Sequence, residues 1–380
     1  MNSEIRQRIN SIDMMRGLVM LIMLVDHVRE RFFLHMQVSD PMDIDATSPG
    51  LFFSRFAAHF CAPAFVFLTG VSAWLYASNG RKLTGFLLKR GLFLILLEVT
   101  LVTFSWMGAY ETIWLQVIWA IGLCMIALAL LHQLPFGLLL IAGLSIVFGH
   151  NLLTDLNYAP SDGLYPVWTV LHDRGYLLQS DGLNIKISYP VLPWIGVILL
   201  GYCSGPLFGR GISTKERKTA LLRLGIFCLV LFALLRGFNL YGEAQDWTAQ
   251  ASVLLTVMDV FNLTKYPPSL AFLLITLGTM FLLLRAAEAP LISHRKGLIK
   301  VLTGFGAAPM FFYLLHLYAL LLINSLLLLF IKPNYGELLG VNHIGWIWLI
   351  ATALALALYW PTQAFAALKK QHKHPLLSYF

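Results

Sequence analysis

The chain has 380 residues, of which 58% are hydrophobic and 12% are charged, and its formal net charge is +8. This composition, with apolar stretches along the whole length, excludes a soluble globular protein, a disordered chain and a disulfide-stapled secreted module. The basic residues are spread over short loops rather than gathered on one face, so no nucleic acid is expected as a partner.

Apolar stretches near the roughly 20 residues that a helix needs to cross a bilayer recur along the chain. The predicted fold is therefore all-α, a polytopic bundle of about ten transmembrane helices in one integral membrane domain over residues 1–380. Two segments between spans, about 151–189 and 239–266, are candidate substrate lids or ordinary interfacial loops. The ten predicted spans are 17–36, 59–78, 90–107, 113–131, 135–150, 190–208, 220–238, 267–284, 305–331 and 342–361.

Basic residues predict the orientation of these spans. Lys and Arg accumulate on the cytoplasmic side of a membrane protein because they resist translocation. With the amino terminus inside, most of the 27 Lys and Arg residues fall at inner ends and inner loops. We therefore expect a multi-pass protein with both termini in the cytoplasm.

The first predicted span contains the densest polar cluster, Asp26, His27 and Arg29. Ten residues at about 1.5 Å each separate Asp26 from Arg16 at the inner end, which places the cluster near the middle of the bilayer. In one interpretation His27 is a general base, because the ordinary pKa of imidazole, near 6.5, suits proton transfer at neutral pH. In the other, Asp26 and Arg29 form a buried bridge that only fixes packing. Adjacent helical residues point about 100° apart, so the group that orients His27 must come from elsewhere.

Further polar residues belong to other predicted spans. His316 lies well inside the ninth span and is a second candidate for the base or for a partner of His27. Arg55 and His59 stand at the outer mouth of the second span. Lys265 and Tyr266 open the eighth span, where Lys265 can also simply extend towards the membrane surface. These last four residues are the candidates for binding a substrate.

Charged residues also mark the inner ends of spans. Asp13 and Arg16 are spaced i, i+3 at the start of the first span, which capping and topology alone can explain. Lys89 and Arg90 at the inner end of the third span either obey the positive-inside rule or contact a phosphate. Glu98, about two turns deeper, must be protonated, paired or facing a cavity.

Several motifs are missing from the sequence. There is no GxxxxGK[ST] loop or glycine-rich dinucleotide fingerprint, so ATP-driven pumping by this chain is not expected. The four cysteines lack CxxC spacing and HExxH does not occur, so no metal site is predicted.

Several segments together resemble the heparan-α-glucosaminide N-acetyltransferase-like family, within the wider group of transmembrane acyltransferases. The resemblance spans roughly residues 8–330, and the combination is more specific than any one motif. The segments are 11–17 (SIDMMRG), 26–29 (DHVR), 59–63 (HFCAP) with 65–70 (FVFLTG), 193–196 (PWIG), 265–270 (KYPPSL) and 309–316 (PMFFYLLH).

This resemblance implies an acyltransferase that takes an acyl group, expected to be acetyl, from acetyl-CoA at the cytoplasmic face. The acceptor would be a sugar or amine of the cell envelope at the outer face of a bacterial inner membrane. It would be acylated on nitrogen or on oxygen. The sequence leaves open whether the acyl group passes directly to the acceptor or through an acyl-histidine. It also leaves open whether the protein is a homo-oligomer. The resemblance implies His27 as the catalytic base or acyl-handling residue, with Asp26 and Arg29 shaping its site, and Lys89 and Arg90 as contacts to CoA phosphates. Beyond the resemblance, His316 is a further catalytic candidate, and Arg16 and Asp13 are further candidates for CoA binding.

Two alternatives accompany this expectation. The histidine proposed as catalytic in the lysosomal member of the family aligns nearer His35 or Gln37 than His27. Buried Asp, His, Arg and Glu residues also form proton relays, so a proton-coupled transporter or flippase of an envelope small molecule is the alternative function.

Overall fold

The computed structural model describes residues 10–289, 296–372, 374 and 376–380. The chain is mostly helical, as predicted from its composition. Its α-helices are α1 (Asn10–Phe32), α2 (Pro49–Ala58), α3 (Cys61–Ala77), α4 (Leu83–Leu97), α5 (Thr103–Met107), α6 (Val117–Leu131), α7 (Phe136–Gly149), α8 (Tyr165–Leu171), α9 (Leu192–Ser204), α10 (Thr214–Gly237), α11 (Val253–Val260), α12 (Leu270–Ala287), α13 (Lys296–Ala307), α14 (Pro309–Phe330) and α15 (Ile344–Gln371).

Short helical turns and a small sheet complete the fold. A π-helical segment, Glu98–Val102, joins α4 to α5, and 3-10 turns lie at Leu34–Met36, His150–Leu153, Gly205–Phe208 and Leu376–Tyr379. The strands are β1 (Thr112–Leu115), β2 (Gly175–Leu178) and β3 (Asn184–Ile187). They form a sheet of order β1-β3-β2, in which β1 pairs parallel and β2 antiparallel with β3. This sheet departs from the all-α expectation, and β1 occupies the first residues of the predicted span 113–131.

Six helical segments within the described residues are long and apolar enough to cross a membrane, and two shorter apolar helices, Val117–Leu131 and Leu192–Phe208, accompany them. These eight segments overlap eight of the ten predicted spans. The other two predicted spans correspond to α1 and to α4 with the π segment and α5, so length and composition establish fewer spans than ten. The six segments are Pro49–Ala77, Phe136–Leu153, Thr214–Gly237, Leu270–Ala287, Pro309–Phe330 and Ile344–Gln371.

The predicted span 305–331 is divided in the structure. α13 ends at Ala307, and α14 begins with Pro309 in its first turn. Proline is favoured at the start of a helix because its missing N–H needs no partner there, and it disfavours helix in the residue before it. The apolar run therefore forms two helices rather than one long span.

α1 is the central helix of the bundle. It packs against α2, α3, α12, α13, α14 and α15, and most of its residues are buried. Glycines allow the closest of these contacts: a Cβ at Gly17 would lie 1.9 Å from the carbonyl oxygen of Leu302, and one at Gly306 would lie 1.9 Å from that of Asp13. The polar residues in the second half of α1 therefore face protein, as their cost in lipid requires.

Candidate active site

The carboxylate of Asp26 lies between two arginines. Its Oδ1 accepts from Nε of Arg29 at 2.9 Å, one turn along α1, and its Oδ2 accepts from Nη1 of Arg55 on α2 at 2.7 Å. Nη2 of Arg29 also donates to Glu30 at 3.1 Å. All three residues of the Asp26 bridge are buried. The predicted Asp26–Arg29 pair is present, and Arg55 is its third member, so Asp26 is engaged in fixing helix positions.

His27 forms a buried pair with His316 of α14. Nδ1 of His27 lies 2.7 Å from Nε2 of His316, and Nδ1 of His316 lies 2.6 Å from the carbonyl oxygen of Phe312. A carbonyl oxygen only accepts, so Nδ1 of His316 carries a proton and, in the neutral ring, Nε2 is an acceptor. Nδ1 of His27 must then donate. The remaining nitrogen of His27, Nε2, keeps its lone pair.

Aromatic rings hold the histidine pair in place. The edge of Trp106 on α5 packs against His27 with ring centroids 5.2 Å apart, and Tyr313 packs against His27 at 5.7 Å. Tyr313 also contacts His316 edge-on, at 5.7 Å. The imidazole of His27 is therefore fixed in one orientation by packing as well as by its hydrogen bond.

His27 lines a cavity of about 340 Å³ that extends along α1. We call its two limits the Arg16 end and the Lys265 end, after lining residues at each. α3 runs beside the cavity. Sγ of Cys61 donates to the carbonyl oxygen of Val19, and the hydroxyl of Ser72 accepts from Arg16. The polar or charged residues that line the cavity are Arg16, Asp26, His27, Thr69, Ser72, Tyr76, Arg90, Tyr189, Lys265, Tyr313 and Lys369.

The Arg16 end contains cations and stacked aromatic rings. Nη2 of Arg16 donates to the hydroxyl of Ser72, one turn before Tyr76 on α3. Tyr76 stacks on Phe86 at 4.2 Å, and the guanidinium of Arg90 lies over Phe86 at 5.9 Å. Nε of Arg90 is buried and has no hydrogen-bond partner among the described residues. This end therefore combines an incompletely satisfied guanidinium with flat apolar surface.

The structure separates other residues that were predicted to bind CoA. Lys89, adjacent to Arg90 on α4, is exposed and does not line the cavity. Asp13 is buried and lies 3.5 Å from Arg16, but it is also outside the cavity lining. Of the four predicted residues, Arg16 and Arg90 are the two that reach the cavity.

The Lys265 end is built from loops that precede α9 and α12. The side chain of Lys265 is buried, with Nζ 5.1 Å from the ring centroid of Tyr266 and 5.9 Å from that of Tyr189. The hydroxyl of Tyr266 donates to that of Tyr189 at 3.2 Å. Burial opposes ionisation of Tyr266, but the charges of Lys265 and Arg55 lower the pKa of its hydroxyl. This end of the cavity is thus electropositive and aromatic.

Two other histidines lie outside the cavity. His59 is buried at the carboxyl end of α2 against Phe272, and its Nδ1 has no hydrogen-bond partner among the described residues. His35, in the 3-10 turn after α1, stacks on Tyr335 with ring centroids 3.6 Å apart. The predicted substrate residue His59 and the alternative catalytic residue His35 are therefore not placed to meet a ligand in this cavity.

Glu98 is buried at the π-helical segment and is paired with a helix terminus. Its Oε2 accepts from the backbone N–H of Trp119 at 2.8 Å, in the first turn of α6. Carboxylates are favoured at helix amino termini because the unpaired N–H groups there carry partial positive charge. Glu98 is therefore hydrogen-bonded through Oε2 only, its Oε1 is buried without a partner among the described residues, and it does not line the cavity.

The site also contains residues that were not predicted from the sequence, among them Tyr313, Trp106, Ser72 and Tyr189. Tyr313 and Trp106 pack on His27, Ser72 binds Arg16, and Tyr189 lies under Lys265. Tyr313 is three positions before His316, one helical turn away, so its proximity to that histidine could have been inferred. The other three come from distant segments and have no local pattern that marks them.

The chain matches a known protein family. Residues 8–235 match the family model described as heparan-alpha-glucosaminide N-acetyltransferase, catalytic, over more than half of the chain. The chain belongs to this family. The predicted resemblance is confirmed, and the family match contains His27, Arg55 and Arg90, whereas Lys265 and His316 lie beyond residue 235. A comparison with curated proteins finds no match to the chain.

Proposed function

We propose that this membrane protein is an acyl-CoA-dependent acyltransferase that moves an acetyl group from acetyl-CoA to a sugar or amine acceptor. The observation that carries the proposal is the lone pair on Nε2 of His27, in a residue that lines the cavity between the Arg16 end and the Lys265 end. Membership of an acetyltransferase family supports the reaction class.

The chemistry that this site supports is attack by a hydroxyl or amine on the thioester carbon. Nε2 of His27 takes the proton of the nucleophile while the new C–O or C–N bond forms and the C–S bond breaks. The CoA thiolate then recovers that proton from Nε2. His316 holds Nδ1–H of His27 throughout, so the reacting nitrogen stays in place. An acyl-histidine route would use the same nitrogen as the nucleophile.

The donor is assigned to the Arg16 end. Arg16 and Arg90 would pair with CoA phosphates, because guanidinium groups bind phosphate through strong charge-assisted hydrogen bonds. The stacked rings of Tyr76 and Phe86 offer a flat surface for the adenine. Arg16 and Arg90 line the Arg16 end, and basic residues accumulate on the cytoplasmic side of membrane proteins. We therefore assign this end to the cytoplasmic face of a bacterial inner membrane, with both termini cytoplasmic.

The acceptor is assigned to the Lys265 end, at the outer face. Arg55 is occupied by Asp26, so its role is to position α1 and α2 rather than to bind the acceptor. Lys265 and Tyr266, predicted from sequence, and Tyr189, found in the structure, are the acceptor-binding residues in this proposal. A transporter would use the same cavity but would not need a donor site for CoA.

Thermal unfolding of the purified protein in nanodiscs tests this assignment. Acetyl-CoA and CoA are expected to raise the unfolding temperature and ATP is not, because a ligand that binds only the folded state stabilises it. Transfer of radiolabelled acetyl from acetyl-CoA to envelope extracts is the second readout. No binding of acetyl-CoA by folded protein, with proton-coupled flux in liposomes, would replace the acyltransferase by the transporter.

A further inference from the structure

Lys265 is a buried cation without a counter-ion of its own. The residue is 4% exposed and lines the cavity, and Nζ lies near the rings of Tyr266 and Tyr189. Within residues 10–289 and the other described ranges, no carboxylate forms an ion pair with Nζ and no acceptor hydrogen-bonds to it. Burying an unpaired ammonium group is costly, and a bound anion would offset that cost.

The neighbouring carboxylates are already engaged. Asp26 binds Arg29 and Arg55, and Glu30 binds Arg29. Asp40 accepts the backbone N–H of Lys265, with both Oδ atoms 3.2 Å from it, rather than pairing with Nζ. Burial raises the pKa of Asp40, which weakens it as a counter-ion.

Two further charged residues lie near Lys265, and neither supplies a counter-ion to Nζ among the described residues. Arg174 lies over the ring of Tyr266 at 4.7 Å. Arg174 is exposed, so it adds no buried charge, and the nearby Glu243 is engaged in turn, since it accepts hydrogen bonds from Thr264 and Ser269.

Resting on the proposed acetyl transfer, we infer that the acceptor carries an anionic group that pairs with Lys265 while its hydroxyl or amine approaches Nε2 of His27. A carboxylate and a phosphate share the required chemistry, since both accept charge-assisted hydrogen bonds from an ammonium group. The ring of Tyr189, which lines the cavity beside Nζ, offers an apolar surface to the carbon skeleton of a sugar. A singly cationic amino sugar would meet electrostatic repulsion here, which makes an acidic sugar or a sugar phosphate the favoured acceptor class.

Equilibrium binding to the full-length protein in nanodiscs of neutral lipid tests this inference, without acetyl-CoA and at constant ionic strength. The probes are glucuronate, glucose 6-phosphate, glucose and glucosamine. Glucuronate and glucose differ only at the carbon that carries the carboxylate, and glucose 6-phosphate distinguishes phosphate from carboxylate recognition. We expect at least one anionic probe to bind about tenfold more tightly than glucose, the size of one charged hydrogen bond.

Three variants assign the preference to Lys265. Lys265→Gln should bind the anionic probe no better than glucose, and Lys265→Arg should keep the preference. Lys186→Gln is the matched control, because Nζ of Lys186 also lies between two rings, 5.1 Å from Trp114 and 4.9 Å from Tyr176, but Lys186 does not line the cavity. This control should bind like the wild type.

Equal binding of glucose and both anionic probes to the wild type would overturn the inference, as would an unchanged preference in Lys265→Gln. Stabilisation of Lys265→Gln by acetyl-CoA shows that this variant is folded and keeps its donor site. Acetyl-CoA binding without an anion preference would leave the acetyltransferase proposal standing and remove only the anionic acceptor. An anion preference without acetyl-CoA binding would remove acetyl transfer instead.

Discussion

Nδ1 of His27 lies 2.7 Å from Nε2 of His316, although 289 positions separate the two residues in the chain. The hydrogen bond from His316 to the carbonyl oxygen of Phe312 gives this pair a direction, since it makes His316 the acceptor. His27 is thereby kept as the tautomer whose Nε2 can take a proton.

Replacing the proposed base tests this direction. His27→Gln should lower kcat for acetyl transfer by about 10²–10⁴-fold, the usual contribution of general base catalysis, with binding of acetyl-CoA retained. His316→Phe should also lower kcat, because Nδ1 of His27 loses its acceptor. His59→Gln is the control, since His59 is a buried histidine outside the cavity. Full turnover by His27→Gln would remove this residue from the mechanism.

Arg90 and its neighbour Lys89 provide a matched pair for the donor site. Arg90→Gln should raise the Kd for acetyl-CoA about ten- to a hundredfold, because a hydrogen bond to a charged group contributes about 1.5–3 kcal/mol. Lys89→Gln should leave the Kd unchanged, since Lys89 is exposed and outside the cavity. Calorimetric titration with acetyl-CoA measures both. Equal effects of the two substitutions would mean that charge near the membrane surface, rather than the cavity, attracts CoA.

Neutralising Asp26 should destabilise the fold. Asp26→Asn leaves Arg29 and Arg55 without their shared carboxylate, and breaking a buried ion pair costs about 3–5 kcal/mol. Denaturant unfolding in detergent should show this loss, with the exposed Asp181→Asn as the control. The double variant Asp26→Asn/Arg55→Gln should lose less than the sum of its single variants, because the pair is coupled. Additive losses would show that the bridge has no energetic role.

The crossing of α1 and α13 depends on glycine. A Cβ at Gly306 would lie 1.9 Å from the carbonyl oxygen of Asp13, so Gly306→Val must separate the two helices. We expect at least the roughly 1–3 kcal/mol loss of an overpacked core, with less folded protein in the membrane. Gly297→Val on the same helix is the control, because its added side chain meets open space. Equal yields and unfolding midpoints for the two variants would contradict the close contact.

Local patterns in the sequence determined the helical elements and some of their internal pairs. A run of apolar residues near bilayer length favours a helix whatever surrounds it, so each predicted span contains one. The i, i+3 spacing of Asp26 and Arg29 likewise placed the two groups together on α1, and their cost in lipid required protein around them. The division between α13 and α14 also has a local cause, Pro309. The continuous apolar run nevertheless led to the prediction of a single span.

Tertiary structure decided which of these residues meet. The pairing of His27 with His316, the arrival of Arg55 at Asp26 and the parallel pairing of β1 with β3 join segments distant in the chain, and no local preference selects such partners. Arg90 reaches the cavity and Lys89 does not, because adjacent helical residues point about 100° apart and α4 is rotated so that Arg90 faces its neighbours. Sequence alone therefore identified the helices and the reactive residue types, because those follow from local chemistry. Helix packing determined the tautomer of His27, the course of the cavity and the burial of the Lys265 ammonium group away from any carboxylate of the described residues.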